Sequence, residues 1–132
     1  MNKIKIVKEG LMHPELSYKI VGALFEVFKQ LRSGYREQYY QRALREEFGR
    51  IELPFKEQVS GVVQYKGKPI GKCYIDFLID DKVILEIKKN GAFSKKNIDQ
   101  VYSYLKALGL QLGILANFDQ SGLKYKRIVN LR

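Results

Sequence analysis

Apolar residues recur along this chain in two different periods, and the first change, from helical to strand spacing, falls near Pro54. From 15 to 31, Leu16, Ile20, Ala23, Leu24, Val27 and Leu31 form one stripe at helical spacing, so this stretch predicts an amphipathic helix. Pro14 suits its first turn, and Arg32-Ser33-Gly34 breaks it, with Gly34 as the expected stop. A second helix is expected from about Tyr35 to Phe48, ended by Gly49. Beyond Pro54 the pattern turns to strands. Val59, Val62, Val63 and Tyr65 mark one, Ile70 to Ile79 a second, and Val83 to Lys88 a third, with turns at Lys66–Pro69 and at Asp80-Asp81-Lys82. Ser94 can cap a helix reaching Leu108, with Ile98, Val101, Tyr102, Leu105 and Leu108 as its stripe and Gly109 as its end. Leu110 to Asn117 reads as a buried strand, and Tyr125 to Leu131 as a last one.

The resulting order, α-α-β-β-β-α-β-β, predicts an α/β fold: a mixed central sheet flanked by helices, its antiparallel part first. The helix between the third and fourth strands implies a crossover that leaves those two strands parallel. No repeat or linker divides the 132 residues, so one domain spanning 1–132 is expected.

The hairpin at Asp80-Asp81-Lys82 carries the informative chemistry. Ile75, Phe77 and Ile79 alternate, as do Val83, Leu85 and Ile87. Matching the two sets places Ile75 opposite Ile87, Phe77 opposite Leu85 and Ile79 opposite Val83, around a three-residue loop. Asp76 then falls opposite Glu86, Leu78 opposite Ile84, and Tyr74 opposite Lys88. Two acids apposed across a strand pair, with Cβ atoms about 5 Å apart, repel each other. Apolar neighbours raise the cost of leaving them uncompensated. A hard divalent cation, Mg2+ or Mn2+, resolves the conflict. Lys88 points to the face of Glu86 and can orient water or meet charge on a phosphate. The alternative is a surface cluster of salt bridges among Asp76, Glu86, Lys88 and Lys89.

Charge and composition narrow the partners. Twenty-four Lys and Arg against 14 Asp and Glu give a net charge of +10, which favours a polyanion such as nucleic acid. The basic, alternating stretch from Met1 to Lys8 lacks the apolar run of a signal peptide, and no run is long enough to span a bilayer, so a cytoplasmic protein without membrane contact is expected. Cys73 and His13 are each the sole residue of their kind. A disulfide and a cysteine-based zinc site are therefore excluded within one chain, and His13, in a Met-His-Pro turn, reads as a turn residue.

Asp76 followed by Glu86-Ile87-Lys88 on a hairpin resembles the D-x(n)-E-x-K core of the PD-(D/E)XK nucleases, the restriction-endonuclease-like superfamily. Gln100-Val101-Tyr102-Ser103-Tyr104 is similar to the Q-x-x-x-Y motif of its RecB-like branch. Gly34-Tyr35-Arg36-Glu37-Gln38-Tyr39-Tyr40 is similar to the signature of the small GxxExxY proteins grouped with that superfamily. The proline of the superfamily name is absent, since Ile75 precedes Asp76. The resemblance implies a metal-dependent nuclease acting on nucleic acid, with DNA as the expected substrate and Mg2+ or Mn2+ as cofactor; it leaves the oligomeric state open, a homodimer in which two sites reach two strands being one arrangement. It implies Asp76, Glu86, the Ile87 carbonyl and Glu37 as metal ligands and Lys88 as catalytic lysine. Gln100 and Tyr104 would contact phosphate or support the site, and Tyr40 would pack beside Glu37. Lys95 and Lys96, at a helix start, can meet phosphate as well. The plainer readings stand beside these: Glu37 as a favourable first-turn acid, Lys95 and Lys96 as exposed cations, Glu26 as a solvated helix-face residue. A fold-retaining nucleic-acid-binding module with little or no turnover is the alternative function, and a protein-binding module the third.

Overall fold

A computed structural model describes residues 12–131, so the segment Met1–Lys8 discussed above lies outside the described residues. The elements follow in the order α1 (Pro14–Leu31), α2 (Glu37–Arg50), β1 (Phe55–Tyr65), β2 (Lys68–Ile79), β3 (Val83–Ile87), α3 (Lys95–Leu108), β4 (Leu112–Asp119) and β5 (Gly122–Val129). This is the mixed α/β arrangement expected of a restriction-endonuclease-like fold. None of the described helices is long and apolar enough to cross a membrane.

The strands lie in one sheet in sequence order, β1 to β5. β3 and β4 are parallel across the α3 crossover, and the remaining neighbours are antiparallel. Each face has its own core. α1 and α2 cover one, where Ile20, Leu24, Leu44 and Phe48 meet Phe77, Leu85 and Ile114. α3 covers the other, where Val101 and Leu105 meet Ile75, Ile84, Leu115 and Ile128. Gly113 lets α3 come this close: a Cβ there would stand 2.7 Å from Val101 Cγ1.

Several element ends differ from expectation, each for a local reason. α1 ends at Leu31 as expected, but its stop is Arg32, at positive φ (φ 60°, ψ −152°) with its N–H donating to the Phe28 carbonyl; Gly34 (φ 108°) shapes the loop beyond. α2 continues through Gly49 to Arg50 and is capped at Ile51, because Phe48 is wholly buried and holds the last turn on the sheet. The roughly 1 kcal/mol helix penalty of glycine is small beside that burial. β1 begins at Phe55, since Phe55, Lys56 and Glu57 pair with Ile79, Leu78 and Phe77. β4 and β5 are joined by a tight turn over Gln120 and Ser121, with Asp119 opposite Gly122 and the Asp119 carboxylate accepting from the Ser121 hydroxyl at 2.6 Å.

The β2–β3 register holds for Phe77–Leu85, Leu78–Ile84 and Ile79–Val83. It does not extend to Ile75 and Ile87. Ile75 belongs to the α3 core and Ile87 to the α1/α2 core, so the two lie on opposite faces. The face changes at Asp76. In the β1–β2 ladder, Glu57–Phe77 and Val59–Ile75 pair while Asp76 has no partner, and Gln58 across from it is left-handed (φ 51°). Left-handed backbone is uncommon for a residue other than glycine and marks a local irregularity.

Candidate metal centre

The two acids sit where the sheet divides. β3 stays on β4 to its end, through Glu86–Leu115 and Ile87–Ala116, and the Lys88 N–H still donates to the Ala116 carbonyl at 2.9 Å. β2 leaves β3 after Phe77–Leu85 and continues with β1. The fork strands main-chain donors that a ladder would satisfy. The carboxylates take them instead. Glu86 Oε2 accepts from the Asp76 N–H at 2.7 Å, and Asp76 Oδ2 accepts from the Ile87 N–H at 2.9 Å. Each acid therefore bonds the strand opposite and fills the gap between them.

Glu86 is buried (3% exposed) and Asp76 partly buried. Burial, reinforced by the Asp76 charge, pushes the Glu86 carboxyl up to about 8. Burial is also the main reason that Asp76 lies above its ordinary value, although the Ile87 N–H and Lys88 oppose it. Lys88 Nζ reaches only 4.0 Å from Glu86 Oε1, too long for a tight ion pair, so burial prevails over its attraction. Ionising both acids together is therefore costly here, and Lys88 does not fully offset that cost.

Glu37, in the first turn of α2, is close enough for its charge to act on both acids. It lines a shallow cleft with Arg36, Gln38, Gln41 and Lys89. Among the described residues no three His, Cys, Asp or Glu side chains form a ready-made ligand cluster, so Asp76 and Glu86 stand as a pair with Glu37 farther out.

Tyr40 braces the loop between α1 and α2. Its hydroxyl donates to the Arg32 carbonyl at 2.6 Å and accepts from the Tyr35 N–H at 3.3 Å, and its ring stacks on Phe118 with centroids 4.2 Å apart. It ties down the loop that delivers Glu37. Gly34, with φ 108°, gives that loop a turn closed to most side chains.

From α3, Tyr104 faces the acids: burial first, then the charges of Glu86, Cys73 and Asp76, push its hydroxyl up to about 12. It stays a protonated donor at neutral pH. One turn earlier, Gln100 buries its Oε1 without a hydrogen-bond partner among the described residues. Ser94 caps α3 as expected, accepting from the Asn97 N–H. Lys95 pairs with Asp99 on its own helix and Lys96 is exposed; the cation acting on the two acids is Lys88.

Asn117 and Asn97 were not singled out by the sequence patterns. The Asn117 amide donates to the carbonyls of Lys88 and Lys89, at 2.9 and 2.6 Å, and anchors the chain leaving β3. Asn97 likewise donates to Gly91 and Ala92, holding the loop into α3. The one available signal was an amide ending an apolar strand run, and it does not indicate which carbonyls it meets.

Comparison with solved structures finds the crystal structure of SSO0001, with a TM-score of 0.50 and 13% identity over 86% of this chain and 76% of that one, a likeness of fold alone. The curated proteins offer no match. The family described as the PD-(D/E)XK nuclease superfamily matches residues 14–128, nearly the whole chain and all of the fork that holds Asp76, Glu86 and Lys88. This chain belongs to the PD-(D/E)XK nuclease superfamily.

Proposed function

We propose that this protein is a divalent-metal-dependent nuclease that hydrolyses phosphodiester bonds in DNA. The observation that carries the reading is the apposition of Asp76 and Glu86 at the β2–β3 fork, buried and short of positive charge. A cation fits this donor set. Two carboxylates converge, and the Ile87 N–H already turns towards β2; the carbonyl of a strand residue shares the side of its own N–H, which makes Ile87 a third oxygen donor. Asp76, Glu86 and the Ile87 carbonyl would hold Mg2+ or Mn2+, with Glu37 completing the set directly or through water. All-oxygen ligation suits these hard cations, and Mg2+ usually retains several waters. The bound ion would supply polarisation of a phosphoryl oxygen and activation of water.

The chain's own groups supply the rest. Lys88 projects beside Glu86 and offers a cation for charge developing on the scissile phosphate or for orienting the attacking water. Tyr104 stays protonated and can donate to a phosphate oxygen. Gln100, with a buried acceptor to satisfy, supports the site or meets substrate. Lys95 and Lys96 belong to the outer approach to the helix start rather than to the reacting centre. The finer assignment, to the small GxxExxY proteins, rests on Gly34, Glu37 and Tyr40, whose contacts give that spacing a mechanical sense.

Cleavage of linear, circular and single-stranded DNA with Mg2+ and Mn2+ tests the proposal. Wild type should cleave, while Asp76→Asn, Glu86→Gln and Lys88→Met should not. A wild type that binds DNA in salt-sensitive fashion but cuts none of these substrates with either metal would establish the binding-only module instead.

A further inference from the structure

Where β2 leaves β3, it does not end. β2 has 12 residues and β1 11, against five in β3, and β2 pairs with β3 only through Phe77, Leu78 and Ile79. From Ile75 back to Lys68, β2 is bonded on its β1 side alone. The two strands therefore run past the acids as a free two-stranded ribbon, roughly 25 Å long at about 3.3 Å per residue. The root of the ribbon rests on α3. Gly61 and Cys73 face that helix, and a Cβ on Gly61 would meet Cys73 Sγ at 2.9 Å and Leu108 at 3.4 Å. By strand alternation the opposite face carries Ser60, Val62, Lys72 and Tyr74. All four are exposed, Tyr74 by 57%.

The charge on this ribbon has one sign. Between Gln58 and Ile75 lie Lys66, Lys68 and Lys72 and no acid. Some exposed lysines elsewhere are held by carboxylates, Lys56 by Asp81, Lys82 by Asp80, Lys95 by Asp99 and Lys124 by Asp119, while others, such as Lys96 and Lys106, are not. Among the described residues none of the three ribbon lysines meets a carboxylate. The tip carries a cation as well. Tyr65 and Lys68 pair across Lys66 and Gly67, which both have positive φ (50° and 81°). Such two-residue turns favour Asn or Asp at the first position. A lysine held there in the left-handed conformation places a cation at the end of the arm against local preference.

We infer that the β1–β2 ribbon is a DNA-gripping arm, which lies in the major groove of a duplex and sets Lys66, Lys68 and Lys72 against its phosphates beside the acidic pair. A two-stranded ribbon matches the roughly 12 Å width of that groove. Exposed Tyr65 and Ile70 provide apolar contact for base edges such as the thymine methyl. The arm leads along β2 into Asp76, so a duplex on it passes the fork. The inference deepens the nuclease reading by naming duplex DNA as the substrate form, and its DNA contacts can be tested without catalysis.

The experiment is binding of a fluorescent 30-base-pair duplex to the full chain in EDTA, across a salt series, for wild type and the triple variant Lys66→Gln/Lys68→Gln/Lys72→Gln. Losing three phosphate contacts should lower the slope of log K against log salt by about 2.7. Between 50 and 200 mM salt, wild type should then lose about 40-fold more affinity than the variant does. Replacing the same lysines by arginine should keep the wild-type slope, which separates lost charge from a damaged fold. An unchanged slope in the glutamine variant overturns the arm. A slope lost equally on single-stranded DNA overturns the duplex assignment. Cleavage by wild type with Mn2+ is measured separately. A wild type that cleaves nothing yet shows the lysine-dependent slope keeps the arm and removes the nuclease; one that cleaves with no such slope does the reverse.

Discussion

The main-chain N–H of Asp76 donates to the Glu86 carboxylate at 2.7 Å, so each strand of the fork is held by an acid from the other. The pair has two roles that conflict: it replaces missing ladder bonds, and it places two acids where burial opposes the ionisation of both. A cation would relieve the second without disturbing the first.

The conflict sets a pH dependence. Glu86 titrates near 8 in the fold, against an ordinary value of 4.5. Between these values the folded state holds a proton that the unfolded chain has released. Its stabilisation is complete below about 4.5 and is lost as pH rises towards about 8. Metal-free wild type should therefore lose stability over that window relative to Glu86→Gln, which keeps an acceptor for the Asp76 N–H without a titrating group. Urea unfolding of both proteins at intervals from pH 5 to 8.5 measures this. Parallel curves would show that Glu86 is not protonated in the fold.

Metal should act in the opposite sense. A ligand that binds only the folded state at 100 times its dissociation constant stabilises by about 2.7 kcal/mol. Millimolar Mn2+ should raise the Tm of wild type, more at pH 8 than at pH 6 because the ion competes with the Glu86 proton. Asp76→Asn and Glu86→Gln should show little of either shift. Thermal melts with and without Mn2+ decide it, and an equal shift in all three proteins would place the ion elsewhere.

Tyr40→Phe isolates the hydroxyl that ties down the α1–α2 loop while leaving the ring stacked on Phe118. Loss of a bond to the Arg32 carbonyl should cost about 1 kcal/mol. If this tie positions Glu37, Mn2+ affinity should fall as well. Chemical denaturation and metal titration of the same variant separate the two effects, and a loss of stability with unchanged affinity assigns Tyr40 to the fold alone.

Gly113→Ala tests the close approach of α3. The added methyl would meet Val101 at 2.7 Å inside a packed core, and overpacking of this kind costs about 1–3 kcal/mol. Val101→Ala in the same chain should recover part of that loss by opening space. The alanine variant alone should also bind DNA less well, because α3 carries Gln100 and Tyr104. Unfolding curves for the single and double variants check the packing, and equal stability of Gly113→Ala and wild type would contradict it.

The residue pattern alone determined the helical stripes of α1 and α3, the β2–β3 hairpin over Asp80-Asp81-Lys82, the parallel β3–β4 pair and the Ser94 and Gly109 caps, because each depends on periodicity or on a few neighbouring residues. It also brought Asp76, Glu86 and Lys88 together, since one register matched the apolar sets around the turn. Tertiary structure decided that this register stops at Phe77. Alternation assumes a continuous strand, and a β3 held by β4 while β2 departs with β1 breaks that continuity, which is why Ile75 and Ile87 end on opposite faces. The same fork turned two apposed acids into acceptors for main-chain donors and left the ribbon free beside them. Asn117 acquired its partners only where β4 lies beside the end of β3, and Tyr40 acquired Arg32 only through the turn of the α1–α2 loop: a side-chain bond to a carbonyl depends on where the chain returns in space, and local spacing carries no record of that.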